Sequence, residues 1–186
     1  MTNRFDYEDA YKKIDNGEYK VVIEITTNQI RKKNNEMNPD PDELSNLFSL
    51  RAFARWSMRD IKGALKDCSE GIKIDPENYA LFPIRAGCRS FFNDFRGAIH
   101  DYDIAINLDP SDPYHFAGRG YVKDQLEDYK GAIHDYDIAI KLDPSDPDYF
   151  SKRGLSKRSL RDFVGALEDY EQALKIDPRN SDFLTN

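Results

Sequence analysis

The segment DFRGAIHDYDIAINLDP at residues 94–110 returns as DYKGAIHDYDIAIKLDP at residues 128–144, 34 residues later. Looser copies lie at the same interval on either side: DIKGALKDCSEGIKIDP at 60–76 and DFVGALEDYEQALKIDP at 162–178. A fixed interval of this length signals a repeat architecture. Counting back from the prolines of Asp75-Pro76, Asp109-Pro110, Asp143-Pro144 and Asp177-Pro178 divides the chain into units 45–78, 79–112, 113–146 and 147–180. With positions in each unit numbered as slots 1 to 34, slot 4 is Phe48, Phe82, Phe116 and Phe150. Slot 8 is small: Ala52, Ala86, Gly120 and Gly154. Slot 16 is aspartate throughout (Asp60, Asp94, Asp128, Asp162), and slots 19 and 20 are always Gly-Ala. Slot 24 is Cys68, Tyr102, Tyr136 and Tyr170, and slot 27 is Gly71, Ala105, Ala139 and Ala173.

Two helices per unit follow from this spacing. Apolar residues at slots 20, 21, 24, 27 and 28 keep the helical period. The slot-16 aspartate suits the N-cap of the second helix, where its carboxylate accepts otherwise orphaned N–H groups. The aspartate before each slot-32 proline is steered away from helical angles and stops that helix. Asp112-Pro113 and Asp146-Pro147 then read as N-cap and first helical residue of the following unit. Small residues at slots 8, 19, 20 and 27 predict close approach of neighbouring helices.

A 34-residue helix-turn-helix unit with these small slots and a proline at slot 32 resembles the tetratricopeptide repeat, and the resemblance covers 45–180. It implies an all-α fold, a right-handed superhelical solenoid of about five antiparallel helix pairs. The fifth pair is a worn unit at 3–36, with Ala10 at slot 8 but Thr26, Gln29 and Asn34 at slots 24, 27 and 32. An insertion at 37–44 follows it, expected as a lengthened helix and a loop. Six residues, 181–186, follow the last unit: either Phe183 and Leu184 dock as the first turn of a further unit, or Leu167, Tyr170 and Leu174 form an exposed edge. The whole of 1–186 reads as one domain. Pro83, at slot 5, is expected to kink or delay its helix.

Composition narrows the function. Of the 186 residues 33% are charged and 39% apolar, with a net charge of −7, a balance that favours a shape rich in surface. The 11 Tyr, 11 Phe and one Trp are too many for a disordered acidic tail. No apolar run is long enough to span a membrane, and the polar N-terminus does not read as a signal peptide. Two cysteines make no disulfide framework, so a cytoplasmic location is expected. The acidic balance argues against nucleic acid. His100 and His134 share slot 22 and read as a solvated outer face, His115 as surface, and Cys68 as core. No nucleophile–base pair, phosphate loop, metal-ligand set or cofactor motif stands out, so the chain reads as a protein without catalysis or cofactor.

The resemblance further implies that the first helices line a concave groove for a partner peptide or helix. The groove slots offer Phe53, Trp56, Ile84, Phe91, Tyr114 and Tyr121, with Lys152 and Arg158 as a basic edge. Relatives that grip a chaperone's C-terminal carboxylate need Lys, Asn and Arg at particular slots. Here those slots hold Ser49, Phe53, Ile84, Tyr114 and Gly118, or one unit later Pro83, Gly87, Gly118, Asp148 and Lys152. The charge-assisted donors a carboxylate requires are missing, which argues against that ligand. The expected function is an adaptor that binds a protein or peptide in this groove. The alternative is a self-associating assembly protein that uses an uncapped C-terminal end.

One further feature departs from the family. Slot 7 is Arg51, Arg85, Arg119 and Arg153, slot 11 is Arg55, Arg89, Lys123 and Lys157, and slot 23 is Asp67, Asp101, Asp135 and Asp169. Slots 7 and 11 share a helix face. The spacing predicts a ladder of cations on these aspartates that sets repeat register.

Overall fold

The computed structural model describes residues 5–178, which form ten α-helices and no strand. They are α1 (Tyr7–Asp15), α2 (Tyr19–Asn34), α3 (Pro41–Ser57), α4 (Ile61–Ile74), α5 (Leu81–Phe91), α6 (Phe95–Leu108), α7 (Pro113–Gln125), α8 (Tyr129–Leu142), α9 (Pro147–Ser159) and α10 (Phe163–Ile176). They gather into two compact units that divide between Asn93 and Asp94, one holding α1–α5 and the other α6–α10. In the first unit α3 packs on α2 and α4, and α4 on α5. In the second, each helix packs on the next where the chain joins one repeat to another and again within each hairpin of α7–α8 and α9–α10. The expected docking of Phe183 and Leu184 lies outside the described residues.

The second helices of the four regular repeats, α4, α6, α8 and α10, start in the same way, whereas α2 has no side-chain cap. Asp60, Asp94, Asp128 and Asp162 accept the N–H of the glycine three residues on, each at 3.0 Å. The slot-19 glycine serves this cap and not, as expected, the approach of two helices. A Cβ at Gly63, Gly97, Gly131 or Gly165 would run into the capping carboxylate itself. The preceding residue, slot 15, is left-handed in every turn: Gly17 at φ 74°, then Arg59, Asn93, Glu127 and Arg161 at 61–64°. Only the first of these is glycine, so four turns hold a strained side chain to bring the aspartate into capping position.

Two irregularities find their place. Pro83 delays α5 and does not kink it. The helix begins at slot 3, where α7 and α9 begin at slot 1, so the proline falls in the first turn and no intrahelical bond is lost. The 37–44 insertion is only partly loop. Asp40 caps α3 through the Asp42 and Glu43 N–H groups, and residues 41–44 form an additional first turn.

The charged ladder is formed. Arg51 grips Asp67 with two parallel bonds, Nε to Oδ2 at 2.8 Å and Nη2 to Oδ1 at 2.7 Å, and Arg55 adds a third at 2.7 Å. Arg119 grips Asp135 in the same way at 2.9 and 2.7 Å, with Lys123 at 2.7 Å. Arg153 and Lys157 hold Asp169 at 3.0, 2.5 and 2.9 Å. The three aspartates are buried. The remaining guanidinium nitrogen reaches slot 25 of the preceding repeat: Arg51 to Thr27 at 3.0 Å, Arg119 to Asp103 at 2.6 Å, Arg153 to Asp137 at 2.6 Å. Each slot-7 guanidinium also lies over the ring of the phenylalanine three residues earlier, 5.3 to 5.8 Å from its centre.

The two carboxylate classes differ in environment, and the cost of losing them should differ accordingly. Asp135→Ala leaves Arg119 and Lys123 without their buried counter-charge, and we expect a loss of about 3–5 kcal/mol in urea unfolding. Asp103→Ala removes a carboxylate whose side chain is 45% exposed and should cost about 1 kcal/mol or less. Equal losses would show that the bidentate grip is not the stabilising contact.

Candidate protein-binding surface

The side chains on offer sit on first helices. In the first unit, Phe53 on α3 is exposed and lies edge-on to Tyr19 of α2, ring centres 6.5 Å apart. Beside Tyr19 opens a shallow cavity of about 270 Å³, which Gly17, Glu18, Lys20, Val21 and Met58 complete. Phe91 is 58% exposed at the end of α5, and Phe92, its C-cap residue, packs edge-on against it at 5.4 Å. Trp56 and Ile84 are placed differently. Both are partly buried against Ile61, Ala64 and Cys88, and the Trp56 ring closes over Gly87. They hold α3 and α4 to α5 and present little free surface. Sequence reasoning did not single out Phe92 because it falls past the last helical groove slot.

In the second unit, Tyr114 and Tyr121 on α7 are 54% and 47% exposed. Burial raises the pKa of the Tyr114 hydroxyl, against a hydrogen bond with Tyr102 that lowers it. Tyr102 in turn fills the space a side chain at Gly118 would need. Asp124, at groove slot 12, accepts the hydroxyls of Tyr136 at 2.9 Å and Ser156 at 2.7 Å, tying α7, α8 and α9 together. Burial raises its pKa above the usual carboxylate range, against those two hydrogen bonds. On α9, Lys152 is half-buried and paired with Asp148 one turn earlier at 3.6 Å. Arg158 is exposed, and its charge lowers the Tyr170 pKa against the larger upward push of burial. The basic edge expected from Lys152 and Arg158 therefore rests mainly on Arg158.

The remaining candidates for chemistry settle into the fold. His100 and His134 are exposed on α6 and α8. Cys68 is core, and burial pushes the Cys88 thiol up to about 12. Among the described residues no three His, Cys, Asp or Glu side chains are grouped to hold a metal ion, and no helix is long and apolar enough to cross a membrane.

His115 is not surface. It occupies slot 3, the position of the buried Leu47, Leu81 and Tyr149, and is 2% exposed. Neither ring nitrogen has a hydrogen-bond partner among the described residues, and Nε2 stops 3.8 Å from Asp112 Oδ2. The slot-3 side chain points into the seam beneath its helix, so position in the repeat outweighed polarity.

The 34-residue hairpin, its capped turn and its slot-by-slot packing agree with the comparisons. The TPR repeat family matches residues 120–157, and proteins solved with the same repeat superpose on nearly the full length. Residues 120–157 match a tetratricopeptide repeat, and the chain has the fold of tetratricopeptide-repeat proteins. MamA (residues 41 to the end) from Desulfovibrio magneticus aligns with a TM-score of 0.76 at 15% identity, covering 94% of each chain. A thermophilic TPR protein of Thermus thermophilus aligns with a TM-score of 0.73 at 16% identity, covering 95% of this chain and 92% of that one. The first TPR of Spaghetti, solved with an HSP90 peptide, aligns with a TM-score of 0.61 at 20% identity over 63% of this chain and 93% of its own. No curated protein matches the chain in sequence. At these identities the structural likeness establishes the all-α TPR solenoid fold.

The His115 environment carries a pH dependence. Burial is the largest influence and lowers its pKa below the ordinary 6.5, while Asp112 and Asp109 pull it partly back. The folded state therefore favours the neutral ring, and the unfolded chain takes up the proton first. Stability should fall as pH drops below about 6.5. We expect His115→Leu to raise the urea midpoint and to flatten the difference between pH 7.5 and pH 5.5. An unchanged difference would show that other groups set the acid limb.

Proposed function

We propose that this TPR-fold protein is a non-catalytic adaptor that binds a partner peptide or helix on the first-helix faces of its repeats. TPR folds generally serve protein interaction or assembly. The observation that carries the reading here is four exposed rings on first helices, Phe53 and Phe91 in one unit and Tyr114 and Tyr121 in the other. Large rigid side chains left in water on such faces are the usual anchors of protein interfaces. Trp56 and Ile84 would support these anchors from below, Arg158 would favour acidic residues in the partner, and Lys152 would contribute less because Asp148 already pairs with it. The slots that form a carboxylate clamp in chaperone-binding relatives carry at most one such donor, Lys152 in the later frame, so the likeness to the Spaghetti TPR does not bring an HSP90-type C-terminal ligand with it. A cytoplasmic setting fits the two buried free thiols.

A second reading, self-association, draws on the apolar residues exposed on α10, Phe163, Val164 and Leu167.

The adaptor reading is tested by affinity capture from source-cell lysate with mass spectrometric identification. The intact protein is compared with a Phe53→Glu, Phe91→Glu, Tyr114→Glu, Tyr121→Glu variant whose circular dichroism shows it folded. Partners lost with the four rings support the reading. Partners retained by the variant would move the function elsewhere. Sedimentation equilibrium tests the second reading, which requires a mass that rises with concentration.

A further inference from the structure

The turn between α1 and α2 departs from the other hairpin turns in two residues. Slot 16 is Glu18 where they carry aspartate, and slot 19 is Val21 where they carry glycine. In a regular turn the capping carboxylate lies where the Cβ of slot 19 would stand. Here the arrangement is reversed. The Glu18 side chain makes no cap bond and instead accepts the Asn16 amide at 3.4 Å. Val21 brings an apolar side chain to the turn and leaves it in water, 37% exposed.

The cavity of about 270 Å³ beside Tyr19 opens at this turn. Tyr19 and Val21 line it from α2, and Met58, the C-cap residue of α3, lines it from the neighbouring turn and is 39% exposed. Its apolar floor has a basic rim. Lys20 lines the cavity, Arg59 follows Met58 in the chain, and Lys62 stands in the first turn of α4. All three cations are exposed, and none has a hydrogen-bond or ion-pair partner among the described residues. Glu18 is the carboxylate that lines the cavity, and Asp60 is matched by Arg55 at 3.6 Å. The rim therefore keeps an excess of positive charge, although the chain as a whole carries −7.

We infer that this cavity is the docking site for an acidic segment of a partner protein, which inserts one large apolar side chain between Tyr19, Val21 and Met58 and sets carboxylates against Lys20 and Arg59. Burial of the inserted side chain supplies attraction, and the unmatched cations select the flanking residues. The inference rests on the adaptor reading in that the ligand is a protein segment, but it places that segment at the hairpin turns of the first unit and not on the first-helix faces.

The probe is a fluorescein-labelled peptide, GSDEDFLEDEGS, titrated with the full chain and followed by anisotropy. Saturable one-to-one binding is expected, and the peptide GSDEDAAEDEGS should not saturate. Lys20→Glu with Arg59→Glu should weaken binding by about tenfold or more, and Met58→Glu by about fivefold or more. The turn accepts glutamate at slot 15, because Glu127 holds the same left-handed position in another repeat. A basic peptide, GSKRKFLKRKGS, should bind the doubly reversed protein and not the original. Circular dichroism confirms that each variant is folded. Absence of saturable binding, binding indifferent to Met58→Glu or to the charge reversal, or equal binding of the alanine peptide overturns the inference. A mass that rises with concentration and is returned to monomer by Met58→Glu would overturn it in favour of a second copy. A Phe91→Glu, Tyr114→Glu, Tyr121→Glu variant should bind the peptide as the original does, so failure of the first-helix surface and failure of this cavity are separable.

Discussion

The bidentate grip of a slot-7 arginine on a slot-23 aspartate is the interaction on which the repeats depend. It joins the two helices of one hairpin at a point where both partners are largely removed from water. Burying a carboxylate such as Asp135 without a partner would be prohibitive. With two nitrogens of Arg119 and the ammonium of Lys123 around it, the charge is matched and its acceptor positions are filled. The planar guanidinium does this in one orientation only, which fixes the hairpin's register in a way that an apolar pair would not. The same plane lies on the slot-4 phenylalanine, so the orientation is held from both its edge and its face.

The third nitrogen makes the device more than a hairpin clamp. Arg51, Arg119 and Arg153 each reach slot 25 of the preceding repeat. One side chain therefore sets the register within a repeat and between repeats. Where the preceding repeat is the worn one, the acceptor is a threonine hydroxyl, Thr27, and not a carboxylate. The contact keeps its geometry and loses its charge, as expected if hydrogen-bond position and not net attraction carries the register.

Most of the fold is legible in the sequence because each slot makes a single physical demand. Asp at slot 16 and Gly at slot 19 announce a capped turn, and Asp-Pro announces a stop. The ladder follows from three charged slots at helical spacing. The site is less legible. A groove slot says which way a helix position points on average, not how far the neighbouring helix closes over it. Trp56 is long enough to reach Gly87 and Cys88 and so turns inward, while Phe91 in the neighbouring first helix stays in water. His115 shows the opposite failure. Its polarity suggests surface, but slot 3 lies on the seam, where burial disfavours the charged ring. The slot-19 glycines were legible as a requirement for smallness, yet the atom they make room for is their own helix's capping carboxylate.

The division of labour between helices follows from the same geometry. In the second unit α7 is covered by α6 on one side and α8 on the other, and α9 by α8 and α10, which leaves a strip of each facing outward. A ring such as Tyr121 on that strip costs the fold little and is free to serve binding. Second helices meet the following repeat through slots 17, 21 and 25, and these must be apolar, apolar and acceptor for stacking to work. On α10 the same slots hold Phe163, Leu167 and Glu171, and all three are exposed.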